Sequence, residues 1–507
     1  MIKKWFAQVL KTKTLDKLIG ETQEEGHQLR KALGPLNLIA LGIGAVIGAG
    51  IFATIGTAAA GDALRPGAGP ALSLSFVLTA ITCGFTALCY AEFASMVPVA
   101  GSAYTYCYAT LGEIVAWIIG WDLILEYAIG NVAVAISWGN YFNTLVSGFG
   151  IHIPPWLTVD YGTAVAKMPD LVAHAPHIFG VPIVFNILAM AIVTAITTVL
   201  VWGIRESARV NLLMVVIKLV VLGFFVLASL KFVKPMNWTP FAPNGFKGIA
   251  SGAAIVFFAY IGFDAISTTA EEARNPKRDM PIGIIGSLIV CTLIYIIVAV
   301  VFTGMIPYPA LKASLANEQA EPLTLAMQYV SMPNWMIGLV ALGSVIAHTA
   351  VLLVFQLGQP RIFFAMARDG LLPPVFAHVH PRFKTPHVTT ILTGVAVGLT
   401  SAVTSLDSMV DLTNIGTLFA FALVSVGIII LRFKEPHRER PFKVPGGPFI
   451  IPILGVASCI GLIYYLPPSS WLRFFGWLAV GLLIYVFYGF KHSRLHSKNG
   501  STSPTNK

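Results

Sequence analysis

The chain has 507 residues, 56% of them hydrophobic and 11% charged, with a mean hydropathy of +0.77. An average soluble domain is roughly 25% charged, so a soluble globule is excluded, and the formal charge of +10 is read as membrane orientation and not as nucleic-acid affinity. About twelve apolar runs are long enough to cross a hydrocarbon layer, which takes roughly 20 residues: 36–60, 71–97, 112–146, 181–203, 209–231, 248–270, 281–306, 335–360, 388–405, 410–431, 449–467 and 471–490. The class that fits is an all-α integral membrane protein with about 12 transmembrane helices.

Residues 1–33 form a basic lead that reads as an interfacial helix carrying Trp5, Phe6, Val9, Leu10 and Leu15. The apolar run behind it is too long for a cleavable signal peptide. That run opens with "LGIGAVIGAGIF", which places Gly42, Gly44, Gly48 and Gly50 within twelve positions. Glycine is about 1 kcal/mol worse than alanine in a helix. Gly44 and Gly48 form a GxxxG that lets helices approach closely. The other reading is an interruption, tolerated in lipid only where a cavity or ligand satisfies the freed backbone. A half-helix starting at Gly50 would aim its positive end at an anion, and an amino acid α-carboxylate suits it.

Span two ends in "YAEFASMVPVAGSAYTY", where Glu92 is placed to cap or gate a connection rich in Pro and Gly. Asp122 and Glu126 lie one turn apart on span three, in "WIIGWDLILEYAIG". The connection at 147–180 has room for short helices. Lys218 stands alone halfway along span five, in "ARVNLLMVVIKLVVLGFFVLASL". A charge there is expensive, so it needs a counter-charge, a carbonyl cluster or water. Proton coupling is the functional reading and a static structural cation the other; Glu126 either pairs with Lys218 or lines the pocket.

Span six, "SGAAIVFFAYIGFDAISTTAEEARNP", sets Gly262 and Asp264 in apolar sequence. Unwinding near Ala259–Gly262 would turn the carbonyls of Phe258 and Ala259 toward an α-ammonium group, with Phe258 as a lid. Asp264 would orient the broken backbone or meet a cationic tail. The loop 271–283, "EEARNPKRDMPIG", reads as structured, and 307–334 again has room for short helices. His348 in span eight suits a polar contact better than proton carriage. The tail 491–507 is polar and expected to be disordered. The five cysteines lack metal-type spacing and read as small buried hydrophobes.

The two interrupted spans lie five spans apart, the pattern of inverted five-helix repeats broken at the membrane midplane. With the N-terminus inside, 25 of the 33 Lys and Arg fall on the inner side, seven on the outer, and Lys218 within a span. This places both termini in the cytoplasm. The sequence has no P-loop, HExxH, GxSxG, Cys/His cluster or selectivity-filter motif, so no enzyme, cofactor or metal is expected.

"GIGAVIGAGIF", "CYAEFASMVPVAGSAYTYCYATLGE", "FFAYIGFDAISTTAEEARNPKRDMPIGI", "RDGLLPPVF" and "LTNIGTLFAFALVSVGIIILR" together resemble the cationic amino acid transporter branch of the amino acid–polyamine–organocation superfamily. The resemblance runs from about residue 34 to 490. It implies a LeuT-like 5+5 inverted repeat plus two extra helices, with helices 1 and 6 broken, working by alternating access. It implies carboxylate contacts at Val46, Gly48, Ala49 and Gly50 and amino-group contacts at Phe258, Ala259 and Ile261. Lys218 takes the place of the ion of sodium-driven relatives, Glu126 and Asp264 are acids near the pocket, and Phe355 limits side-chain room. Where relatives often carry a hydroxyl residue, this chain has Ala49.

The expected organisation is a lead (1–33), a first repeat (34–232), a second repeat (246–432), two further helices (449–490) and a tail (491–507). The expected function is proton-coupled symport of small neutral or cationic L-amino acids across the cell membrane. The rival readings are an amino acid exchanger and, from another class, a non-transporting sensor or membrane enzyme. The expected partners are the amino acid, protons and the bilayer; a small single-span subunit is left open.

Overall fold

The computed structural model describes residues 11–15, 31–97, 99, 102–202, 208–317, 321–380 and 385–495. Trp5, Phe6, Val9, Leu10 and the tail beyond 495 lie outside them. Each of the twelve apolar runs carries helix. In lipid only structures that satisfy their own backbone persist, so apolar runs of this length become helices.

The first run is split into α1 (Pro35–Val46), a π-helical turn at Gly50–Thr54, and α2 (Ile55–Ala60), with a 43° bend between the two parts. Pro35 starts α1, where its missing N–H is no loss. Then come α3 (Leu72–Met96), α4 (Ser102–Thr110), α5 (Glu113–Ser147), α6 (Ile187–Trp202), α7 (Ala208–Ser229) and α8 (Gly245–Val256). The sixth run continues past α8 as 3₁₀ turns at Phe257–Tyr260 and Asp264–Glu272. The remaining principal helices are α9 (Pro276–Met305), α10 (Pro322–Tyr329), α11 (Asn334–Arg368), α12 (His387–Val403), α13 (Leu406–Lys434), α14 (Ile450–Tyr464) and α15 (Pro468–Ile484). Among the described residues, eight helices and the bent first pair meet the length and apolarity of a membrane span; α6, α12 and α14 are shorter apolar helices.

The centre of the bundle is α5, which packs along α11 and α13, while α9 packs on α1 and α3. The connections behave as their length suggests. Residues 161–167 and 169–174 are short helices beside a minimal hairpin pairing His177 with Pro182, and Tyr308–Asn317 and α10 fill 307–334. All five cysteines are buried thiols.

One face gathers the first and last described residues of the chain. Lys11 Nζ donates to the Leu495 carbonyl at 2.8 Å, and Leu15 is 2% exposed. Leu33 bridges to Ala273, which makes the 271–283 loop structured as expected. On this face the buried Glu92 carboxylate takes Arg432 in a two-pronged pair, Arg440, and the Val444 amide at 2.7 Å. Glu92 therefore holds the loop after α13, and not the Pro/Gly-rich connection after α3 that it was expected to cap or gate.

Candidate functional site

The site is built on the two interruptions. α1 ends at Ile47, whose N–H still reaches the Ile43 carbonyl at 3.0 Å while its own ψ of 101° leaves the helix. The last carbonyls of α1 therefore have no helical partner. Lys218 from α7 supplies one, donating to Gly44 O at 2.7 Å and Ile47 O at 2.8 Å. Of the three kinds of partner considered for Lys218, the structure shows the carbonyl cluster. The C-terminal end of a helix is the negative end of its dipole, so an ammonium group suits this position.

The second interruption crosses the first at contact distance. A Cβ on Gly50 would lie 2.1 Å from Ala259 Cα, and one on Gly262 would lie 2.9 Å from the Ala45 carbonyl carbon. Gly262 also has a φ of +116°, a conformation other residues rarely adopt. Close packing and helix interruption thus coincide in the same glycines. Gly48 meets the α11 side chain of Val351, at 2.7 Å from its would-be Cβ.

Tyr295 of α9 joins the two breaks. Its hydroxyl lies 3.1 Å from Val46 O and 2.8 Å from Ala259 O. One carbonyl expected to face an ammonium group, that of Ala259, is thus engaged by a side chain here; Phe258 O accepts Ile261 N–H at 3.4 Å. Nearby, Asn414 donates to Ala254 O at 2.8 Å and Tyr141 to Phe52 O at 2.8 Å. Sequence reading passed over Tyr295 and Asn414. The signal available was a polar side chain inside an apolar run.

Every candidate residue is buried: Val46, Gly48, Ala49, Gly50, Phe258, Ala259, Ile261, Asp264, Phe355, Lys218 and Glu126. The Asp264 carboxylate faces the backbone N–H groups of Gly262, Asp264 and Ala265, so it orients the broken segment. Glu126 faces Thr417 of α13 and lies near Asp264 and Asp122. Among the described residues, neither Asp122 oxygen has a hydrogen-bond partner, nor does either side-chain polar atom of Asn131. Phe355 packs on Tyr127, with ring centroids 5.4 Å apart, and approaches Gly130 closely. It therefore narrows the space beside α5. His348 is satisfied by Ser137 Oγ at 2.8 Å and Ser344 O at 2.6 Å, in keeping with a polar contact.

On the face opposite the chain ends, Arg65 forms a two-pronged pair with Asp411 at 2.7 and 3.0 Å and a second pair with Asp62. Among the described residues no group of three metal-ligating side chains occurs.

This helical membrane bundle, with its two crossing backbone interruptions, falls in a class of transporters. The amino acid permease family matches residues 33–490, and the chain belongs to that family, within the amino acid–polyamine–organocation superfamily. It is 46% identical over 488 residues to the branched-chain amino acid permease of Bacillus subtilis, covering 96% of this chain and 99% of that one. It is 43% identical over 474 residues to the methylthioribose transporter of the same organism, covering 94% and 96%. A vacuolar cationic amino acid transporter of Arabidopsis thaliana is 38% identical over 423 residues, covering 82% of this chain and 62% of the plant protein.

Proposed function

We propose that this chain is a proton-coupled L-amino acid symporter of the cell membrane, with both termini in the cytoplasm. The carrying observation is Lys218, whose ammonium caps two carbonyls at the first break. That is the chemistry of a bound monovalent cation, with a proton in its place. We read the bundle as inverted repeats over 34–232 and 246–432, with 449–490 as two further helices. The breaks five spans apart support this reading.

In it, the backbone at Val46, Gly48, Ala49 and Gly50 receives the substrate carboxylate, and Phe258, Ala259 and Ile261 receive its amino group. Phe355 against Tyr127 favours small neutral side chains, and similarity to a branched-chain amino acid permease favours neutral ones. Glu126 and Asp264 support a second reading with cationic side chains.

The test is uptake of labelled amino acid into proteoliposomes under an inward proton gradient. Wild-type protein should accumulate substrate with no amino acid inside the vesicles, which an obligate exchanger cannot do. Lys218→Ala should lose gradient-driven accumulation while keeping measurable binding. Full proton-driven uptake by Lys218→Ala would overturn the coupling role.

A further inference from the structure

The lipid-facing side of α3 and α9 carries a furrow that the transport site does not use. α3 sets the small Ala80, Gly84 and Ala87 between larger side chains such as Ile81 and Phe85, and faces the aliphatic side chains of α9 across an apolar cavity of about 530 Å³. Ile81, Ile289 and Leu293 are 48%, 55% and 57% exposed, so the furrow opens toward the membrane.

At the face where the chain ends meet, the furrow runs into a second cavity lined by Asn275, Lys277, Arg278, Pro281 and Phe442; the two share Ile285 and Ile289. Arg278 is exposed, and its guanidinium makes no hydrogen bond or ion pair with any described residue. Lys277 has a loose partner in Glu439 at 3.6 Å, with both side chains more than half exposed. The mouth therefore carries two cations against one acid. From Arg278 to Ile289 α9 advances about 16 Å at 1.5 Å per residue. One leaflet contributes about 15 Å of hydrocarbon. A headgroup at Arg278 thus places an acyl chain along the whole lower furrow.

We propose that this furrow binds an anionic phospholipid, with the phosphate on Lys277 and Arg278 and one acyl chain between α3 and α9. Charge selects the headgroup, since basic pockets between helices at a membrane face recognise anionic lipids. Shape selects the chain, because the small residues of α3 leave the space. The site lies outside the amino acid pathway and does not depend on the direction of coupling.

Native mass spectrometry of the detergent-solubilised full chain, given equal amounts of phosphatidylglycerol and phosphatidylcholine, reads it directly. Wild-type protein should retain phosphatidylglycerol preferentially. Lys277→Gln and Arg278→Gln should each reduce that retention about fivefold. Gly84→Leu should also reduce it, by filling the furrow: a Cβ there meets nothing within 4 Å, and an unchanged melting temperature confirms that the variant is folded. Lys312→Gln combined with Arg473→Gln removes the same charge elsewhere and should leave retention unchanged.

Equal retention of the two lipids by wild-type protein would overturn the proposal. So would unchanged retention in the Lys277/Arg278 double variant, or an equal loss in the charge control. Displacement of the lipid by equimolar inorganic phosphate would assign the mouth to a free anion and also overturn it.

Discussion

Alanine at Gly50 is the sharpest perturbation available, because the obstacle is backbone. Its Cβ would stand 2.1 Å from Ala259 Cα and 2.5 Å from Ala259 Cβ. Carbon atoms pack best at about 3.5–4.0 Å, so the two interrupted segments must part by more than 1 Å, estimated as about 1.4 Å on that scale. Overpacking of this kind costs about 1–3 kcal/mol, and alanine recovers about 1 kcal/mol through helix propensity. The strain falls on the two segments that carry the proposed binding backbone. The net cost of about 0–2 kcal/mol should lower substrate affinity by up to about thirtyfold, at about 1.4 kcal/mol per decade.

Gly48→Ala meets the Val351 side chain at 2.7 Å, with the next atoms at 3.4 and 3.6 Å. A methyl group yields more readily than backbone, so this variant should lose less. Gly84→Ala meets nothing within 4 Å and should be neutral or slightly stabilising. Thermal unfolding and equilibrium binding of labelled amino acid, measured on all three, give the ranking. Binding by Gly50→Ala equal to that of Gly84→Ala would refute the close-crossing argument.

Tyr295→Phe removes one donor shared between Val46 O and Ala259 O. The loss should be about 1–3 kcal/mol, the cost of leaving a buried carbonyl unsatisfied, and should appear as a lowered melting temperature with weakened uptake; unchanged values in both would refute the bridge. Burial lifts the Glu321 carboxyl, in the connection before α10, from 4.5 to about 8. Its folded state therefore holds a proton that the unfolded chain releases above its ordinary value. The stability it contributes is complete below that value and is lost as pH rises through about 8. Glu321→Gln should flatten the fall of melting temperature between pH 5 and 8, values bracketed by the two carboxyl constants; a slope identical to wild type would refute the assignment. Asp411→Asn breaks the buried pair with Arg65; Asp62 still compensates the guanidinium, so the cost should fall below the ~3–5 kcal/mol of an uncompensated buried charge. Thermal unfolding should show a larger loss for Asp411→Asn than for Arg65→Lys, which keeps the charge and loses only the fork.

The helices were legible because lipid leaves an apolar run few alternatives. The run at 410–431 became α13, and the shorter run at 388–405 became the shorter helix α12. The two unusual spans were legible from glycine and acid placed where a plain membrane helix avoids them. The partners at the breaks were not legible. Lys218 bonds to main-chain carbonyls, which every residue carries, so side-chain identity does not reveal which one it meets. The Arg65–Asp411 pair lies 346 positions apart along the chain, and no local pattern joins it. Gly50 announced a break, but only the crossing with Ala259 shows why alanine does not fit.

The backbone accounting at the first break also defines what proton coupling can mean here. Gly44 O and Ile47 O are held by Lys218, Val46 O by Tyr295 and Phe52 O by Tyr141. In apolar surroundings these carbonyls need partners. If Lys218 gives up its proton, its amine still has two N–H groups, so both carbonyls keep a donor and the break does not collapse. What disappears is the charge. A charge-assisted hydrogen bond is about twice as strong as a neutral one, and a cation at a helix C-terminus is worth about 0.3–2 kcal/mol. The sum is about 1–3 kcal/mol, which shifts an equilibrium about 5–150-fold. That is large enough to bias which way the first half-helix leans and small enough to be reversed in every transport cycle. Lys218→Met removes the donors as well as the charge, so its defect should exceed that of wild-type protein at any pH. Equality between Lys218→Met and wild-type protein at alkaline pH would mean that the charge alone matters and the two carbonyl contacts do not.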